Sequence, residues 1–133
     1  MIALIVGAGS GLSASLARLL TKEGFDVAVA ARNAEKLKDL GFALKCDATD
    51  AAQVEGAFAA VERKWGVPDL VIYNAGYRTR GPFVELDPQE VQKTLSVTAY
   101  AGFLVAQAAA KTSVVAALIG AARKATMISV RAR

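Results

Sequence analysis

The chain contains no histidine and a single cysteine, Cys46. Without histidine, both the commonest metal ligand and the usual neutral-pH general base are missing. One thiol cannot close a disulfide within the chain. No metal site is expected, and a reducing compartment, the cytoplasm, is the natural setting. Proline is scarce, at 3 residues, and glycine numbers 11 of 133; such a composition excludes collagen-like and disordered chains. The 16 basic and 12 acidic residues are scattered, leaving a net charge of +4. Aromatic residues are not interleaved with basic ones, so the excess reads as a solvated face and no nucleic-acid partner is expected. One long apolar stretch, Val97 to Ala122, raises the question of a membrane span. It is mostly alanine and carries Gln107 and Lys111, which favours a buried or dimer-forming helix and no membrane partner.

What is present is the material of one compact domain, with 54% hydrophobic and 21% charged residues. Met1 to Val6 has no basic leader and runs straight into glycines, so it reads as a first strand, Ile2 to Val6, and not as a secretory signal. Further strands are predicted over Val27 to Ala31, Phe42 to Lys45 and Leu70 to Tyr73. The first, second and fourth have almost no polar interruption, as expected of strands covered on both faces. Helical spacing lies between them. Leu12 to Glu23 places Leu12, Leu16, Leu19 and Leu20 on one face; a short helix follows Asn33 to Leu40, and a longer one Asp50 to Trp65. Asn33 and Asp50 suit the N-cap, with Gln53 three positions beyond Asp50. A fourth helix is predicted to start at Asp87, with Pro88 in its first turn and Glu90 closing a capping box. Its expected course is to about Lys124, with a break at Gly102 or Gly120. Thr126 to Val130 is a candidate fifth strand. Alternation of this kind predicts an α/β fold, a doubly wound parallel sheet of four or five strands with helices on both faces.

The strongest chemical signal is Val6-Gly7-Ala8-Gly9-Ser10-Gly11-Leu12-Ser13, between a strand and a helix. A sharp reversal needs glycine, the backbone must approach a pyrophosphate closely, and the helix N-terminus then stabilises the phosphate charge. Gly7, Gly9, Ser10, Gly11 and Leu12 are the candidate phosphate loop. Two registers fit, Gly7-x-x-x-Gly11 and Gly9-x-Gly11-x-x-Ala14, and the strand's end at Val6 favours the first. At the end of the second strand, where an acidic residue would take the ribose hydroxyl of NAD, stands Arg32, whose planar fork suits the 2′-phosphate of NADP. NADP is therefore the expected cofactor, with NAD as the alternative. Asp47, with Ala48 beside it, lies beyond the third strand, where its carboxylate can accept from an exocyclic amine. Beyond the fourth lie Asn74, Ala75 and Gly76, the last two small enough to let a ribose lie against the backbone.

These residues resemble the short-chain dehydrogenase/reductase family from Met1 to about residue 110. Gly7-x-x-x-Gly11 matches its phosphate loop, with Ser13 where the family has a third glycine. Asp47 matches the aspartate that meets the adenine ring, and Asn74-Ala75-Gly76 matches its Asn-Ala-Gly motif. The resemblance implies a Rossmann-like fold over one dinucleotide-binding domain, residues 1–133, incomplete relative to the family and divergent over 111–133. It also implies NAD(P)-dependent hydride transfer to or from a carbonyl or alcohol. The segment Gly76 to Phe83 looks like the family loop that borders the substrate cleft, where Arg78 and Arg80 can meet an acidic group or stand solvated.

The family's catalytic tyrosine is followed four residues later by lysine. Here the positions four beyond Tyr73, Tyr77 and Tyr100 hold Tyr77, Gly81 and Leu104. Thr98 stands where the family has a helix asparagine, and Ser129 comes too early to be its serine. No catalytic residue carries over, and the divergence after Lys111 suggests a truncated or frameshifted product. A noncatalytic NADP-binding or oligomer-forming remnant is the alternative reading. A homo-oligomer is expected, because an incomplete sheet leaves apolar surface to cover.

Overall fold

The computed structural model describes residues 1–112 and the backbone of Val115–Leu118. The strands are β1 (Ile2–Val6), β2 (Asp26–Ala31), β3 (Phe42–Lys45), β4 (Leu70–Tyr73) and β5 (Val115–Leu118), all parallel, in the order β3-β2-β1-β4-β5. The order arises because the chain winds outward from β1 through β2 to β3, then returns to the other side of β1 for β4. The two halves diverge between β1 and β4, and a crevice opens there at the carboxyl ends of the strands.

Alternation along β1, β2 and β4 builds two cores. Leu4, Val6, Ala28, Ala30, Val71 and Tyr73 face the layer formed by helices α2 (Ala51–Lys64) and α4 (Ala101–Lys111). Ala3, Ile5, Val27, Val29 and Ile72 face α1 (Leu12–Lys22) and a 3₁₀ segment, Ala34–Leu40. Parallel strands covered on both sides carry nearly continuous apolar runs, which is why β1, β4 and the body of β2 lack polar interruptions.

The leucine face expected of α1 meets the core only in part, through Leu16 and Leu20. Ser13, Ala14 and Ala17 are buried, while Leu12 and Leu19 are more than half exposed. Small side chains let the helix backbone approach the sheet closely, so the stripe of small residues wins the contact. The helix expected at Asn33 is a 3₁₀ segment, and Asn33 makes no side-chain cap bond.

The fourth helix departs further from its expected course. It comprises α3 (Pro88–Leu95), a π-helical turn (Ser96–Tyr100) and α4, which ends at Lys111 rather than near Lys124. At the end Thr112 turns its hydroxyl onto the carbonyl of Ala109 at 2.9 Å. Gly102 sits inside α4 without a break; the irregularity falls at Ser96–Tyr100 instead. The candidate strand Thr126 to Val130 and Gly120 lie outside the described residues. Among the described residues no helix is long and apolar enough to cross a membrane.

Candidate functional site

A cleft of about 810 Å³ opens at the carboxyl ends of the strands, within the size range of small-molecule and cofactor sites. One wall is the loop after β1, contributing Gly7, Ala8, Gly9 and Ser10. Gly7 and Ala8 both donate their N–H to the carbonyl of Ala30, at 2.9 and 3.1 Å, tying the loop to the end of β2. Gly7 has φ +84°, and a Cβ there would stand 2.5 Å from the backbone nitrogen of Ala75. Gly9 and Gly11 are different, since a Cβ on either meets nothing within 4 Å. Gly11 and Leu12 do not line the cleft. Gly11 instead precedes α1 as its N-cap with no side-chain cap bond, so first-turn N–H groups there lack side-chain acceptors.

Ser13, at the family's third glycine position, is buried at the helix–sheet contact. Its hydroxyl accepts from the Asn74 side-chain amide at 2.9 Å, and the Asn74 backbone N–H donates to the Val6 carbonyl at 2.9 Å. A serine thus replaces close glycine packing with a hydrogen bond that holds the loop after β4 against α1. Asn74, Ala75 and Gly76 all line the cleft.

Arg32 and Asn33 reach the cleft from the end of β2, joined by Lys36 from the 3₁₀ segment, a second cation that the sequence reading did not single out. Asp47 and Ala48 reach it from the end of β3. Asp47 Oδ1 accepts from the Thr49 N–H at 3.0 Å and its hydroxyl at 2.7 Å. These bonds, with the Arg32 charge as a smaller influence, hold the Asp47 carboxyl below its ordinary range. No hydrogen bond uses Oδ2 among the described residues, which leaves an acceptor for a ligand.

Helix capping helps place this carboxylate. Asp50 caps α2 by accepting from the Ala52 and Gln53 N–H groups at 2.9 and 3.2 Å. Gln53 reaches past the cap, and its Oε1 accepts from the Asp47 N–H at 2.9 Å. Cys46 also lines the cleft. Burial, reinforced by Asp47 and Asp50, pushes its thiol up to about 11, so it is a protonated, apolar element of the floor.

The opposite wall is helical, formed by Gln89, Gln92 and Lys93 of α3 with Ser96 and Val97 of the π turn. Sequence reasoning missed all five, because no local pattern tells a helix face at a cleft from one at solvent. Tyr73, read as packing, is buried and also donates its hydroxyl to the Val97 carbonyl. Burial, then Asp47, raises its pKa to about 12. Asp87 caps α3 by accepting from the Gln89 N–H at 2.9 Å, but Glu90 does not complete a capping box. Its carboxylate accepts from the Tyr77 hydroxyl and pairs with Lys93 at 3.6 Å.

A doubly wound parallel sheet with a glycine loop, an acidic residue and small residues at its switch point defines a dinucleotide-type site. The family model for short chain dehydrogenases matches residues 1–130. The chain is 34% identical over 122 residues to D-threitol dehydrogenase of Mycolicibacterium smegmatis, covering 83% of this chain and 46% of that protein. It is 36% identical over 119 residues to gluconate 5-dehydrogenase of Gluconobacter oxydans, covering 82% and 46%. A double mutant of a Serratia marcescens short-chain dehydrogenase/reductase superposes with a TM-score of 0.83 at 26% identity, over 91% of this chain and 55% of that one. A mutant of actinorhodin polyketide ketoreductase solved with NADPH gives 0.77 at 31% identity, over 84% and 46%. The chain belongs to the short-chain dehydrogenase/reductase family, whose members bind NAD(P), and it spans about half the length of the curated relatives it matches.

Proposed function

We propose that this chain is the dinucleotide-binding half of a short-chain dehydrogenase/reductase and takes NADP in preference to NAD. The observation that carries the reading is the convergence on one cleft, at the strand switch point, of the glycine loop, Arg32, Asp47 and Asn74-Ala75-Gly76. The residues fit the ligand. Gly9 leaves open space where a pyrophosphate needs close backbone approach, and Gly11 with Leu12 brings the uncapped N-terminus of α1 toward the same charge. Ser10 adds a hydroxyl to the same wall. Arg32, with Lys36 beside it on the cleft, would hold the 2′-phosphate. Asp47 Oδ2 would accept from the adenine amine beside Ala48, and Ala75 and Gly76 would let a ribose lie against the chain.

When bound, the nicotinamide supplies or accepts hydride. The protein's part is to hold it, and hydride transfer to or from a carbonyl or alcohol follows only if the acid or base that moves the substrate proton is supplied by other residues than those present here. Relatives named for threitol and gluconate oxidation and for ketone reduction support a carbonyl or alcohol substrate. We place the protein in the cytoplasm, where its single thiol stays reduced.

Arg32→Ala is expected to weaken NADPH about tenfold, the worth of one charge-assisted bond, and to leave NADH within about twofold in a fluorescence titration. Equal losses for the two would remove the NADP preference. We also propose a homo-oligomer. Leu95, Tyr100 and Phe103 are each more than half exposed, and Tyr100 stacks on Phe103 with ring centroids 6.5 Å apart, an apolar face of the kind that self-association covers. Sedimentation equilibrium at micromolar concentration is expected to give a dimer or larger; a monomer would overturn this part.

A further inference from the structure

The segment after Gly76 is clasped along the fourth helix. The Tyr77 N–H donates to Thr98 Oγ1 at 3.3 Å, and the Thr98 hydroxyl donates back to the Tyr77 carbonyl at 2.9 Å. Two residues on, the Thr79 N–H donates to Thr94 Oγ1 at 3.2 Å, while the Thr94 hydroxyl donates to the Glu90 carbonyl at 2.8 Å. The Tyr77 ring lies over Lys93, whose ammonium is 4.1 Å from its centroid, and its hydroxyl donates to the Glu90 carboxylate.

The spacing is matched. Four helical residues rise about 6 Å, and two residues of extended chain cover about 6.6 Å, so Tyr77 and Thr79 meet Thr98 and Thr94 only if the segment between them is extended. Four residues overshoot one α-helical turn by about 40°. The wider π turn at Ser96–Tyr100 reduces that overshoot and helps keep Thr98 on the same face as Thr94.

An extended segment held by alternate residues presents the others on its free side. Tyr77 and Thr79 are half-buried, and Arg78 and Arg80 are exposed. Neither arginine makes an ion pair among the described residues. Arg78 and Arg80 stand two and four residues beyond Gly76, the last residue of this segment to line the cleft. Two guanidiniums on a fixed segment can converge on one oxyanion with less loss of backbone freedom than two on a free loop.

We propose that Arg78 and Arg80 form an anion-binding edge of the cleft, preset by the Glu90, Thr94 and Thr98 clasp, for the phosphate or carboxylate of a bound molecule. It rests on the dinucleotide reading only for the source of that anion, either the cofactor's own phosphates or a separate acidic substrate.

The test follows the amide resonances of Tyr77 to Arg80 by NMR while inorganic phosphate replaces chloride at constant ionic strength. Saturable shifts are expected for the wild type, at least tenfold weaker binding for Arg78→Gln/Arg80→Gln, and several-fold weaker binding for Thr94→Val/Thr98→Val. Thr94→Ser/Thr98→Ser, which keeps both hydroxyls, is expected to restore it. Shifts that do not saturate, or an unchanged response in the arginine variant, would overturn the proposal. Titrating the same proteins with NADPH separates the sources: a parallel loss assigns the anion to the cofactor, and unchanged NADPH affinity assigns it to a second molecule. A wild type that binds phosphate at this edge but no NADPH would leave the edge standing and overturn the dinucleotide reading.

Discussion

Gly7→Ala is expected to destabilise the fold by about 3 kcal/mol, with Tm lowered by roughly 10 °C. Two costs add. Gly7 has φ +84°, a left-handed conformation that a β-carbon disfavours. The new carbon would also lie 2.5 Å from the nitrogen and 2.7 Å from the Cα of Ala75. Those atoms are backbone two residues beyond the end of β4, and Asn74 beside them is tied to Val6 and Ser13, so no side chain can swing aside to make room. Urea denaturation of both proteins measures the difference; a change within about 0.5 kcal/mol, the range of an ordinary surface substitution, would mean that Gly7 and Ala75 are not in contact.

Gly9→Val is expected to do the reverse, leaving stability within about 0.5 kcal/mol of the wild type and weakening NADPH at least about 100-fold, or ~2.7 kcal/mol. The added carbon meets no protein atom within 4 Å and φ is not positive, so the fold tolerates it. It projects branched methyls from the cleft wall where a pyrophosphate would approach. Gly11→Val, also unobstructed but outside the cleft lining, is expected to weaken binding less. Parallel denaturation and fluorescence titration check the contrast; unchanged affinity for Gly9→Val would remove the phosphate from this loop.

That contrast was invisible in the sequence, which presents three glycines as one motif. Strand–glycine–helix order marks the site, but which glycine serves the fold depends on Ala75, sixty-eight residues away in the chain. The β1 and β4 bounds were legible because strands buried on both faces carry nearly uninterrupted apolar runs. The leucine stripe on α1 was legible in part, through Leu16 and Leu20, since periodicity shows that a helix has an apolar face and not which side chains are small enough to meet the sheet. Cleft walls from Arg32, Asp47 and Asn74-Ala75-Gly76 were legible because each follows a strand at its carboxyl end. The wall from Gln89, Gln92 and Lys93 was not, being a helix face whose role is set by what stands opposite. Nor could local spacing reveal the π turn, because the Thr98 to Tyr77 pairing that accompanies it joins distant segments.

The central claim is that the cleft between the glycine loop, Arg32 and Asp47 holds a dinucleotide. Its most direct measurement is titration of the wild-type chain with NADPH, followed by the enhancement and blue shift of nicotinamide fluorescence. Saturable binding that NADP displaces is the predicted result. No saturation up to millimolar NADPH, by a chain whose circular dichroism shows it folded, would contradict it.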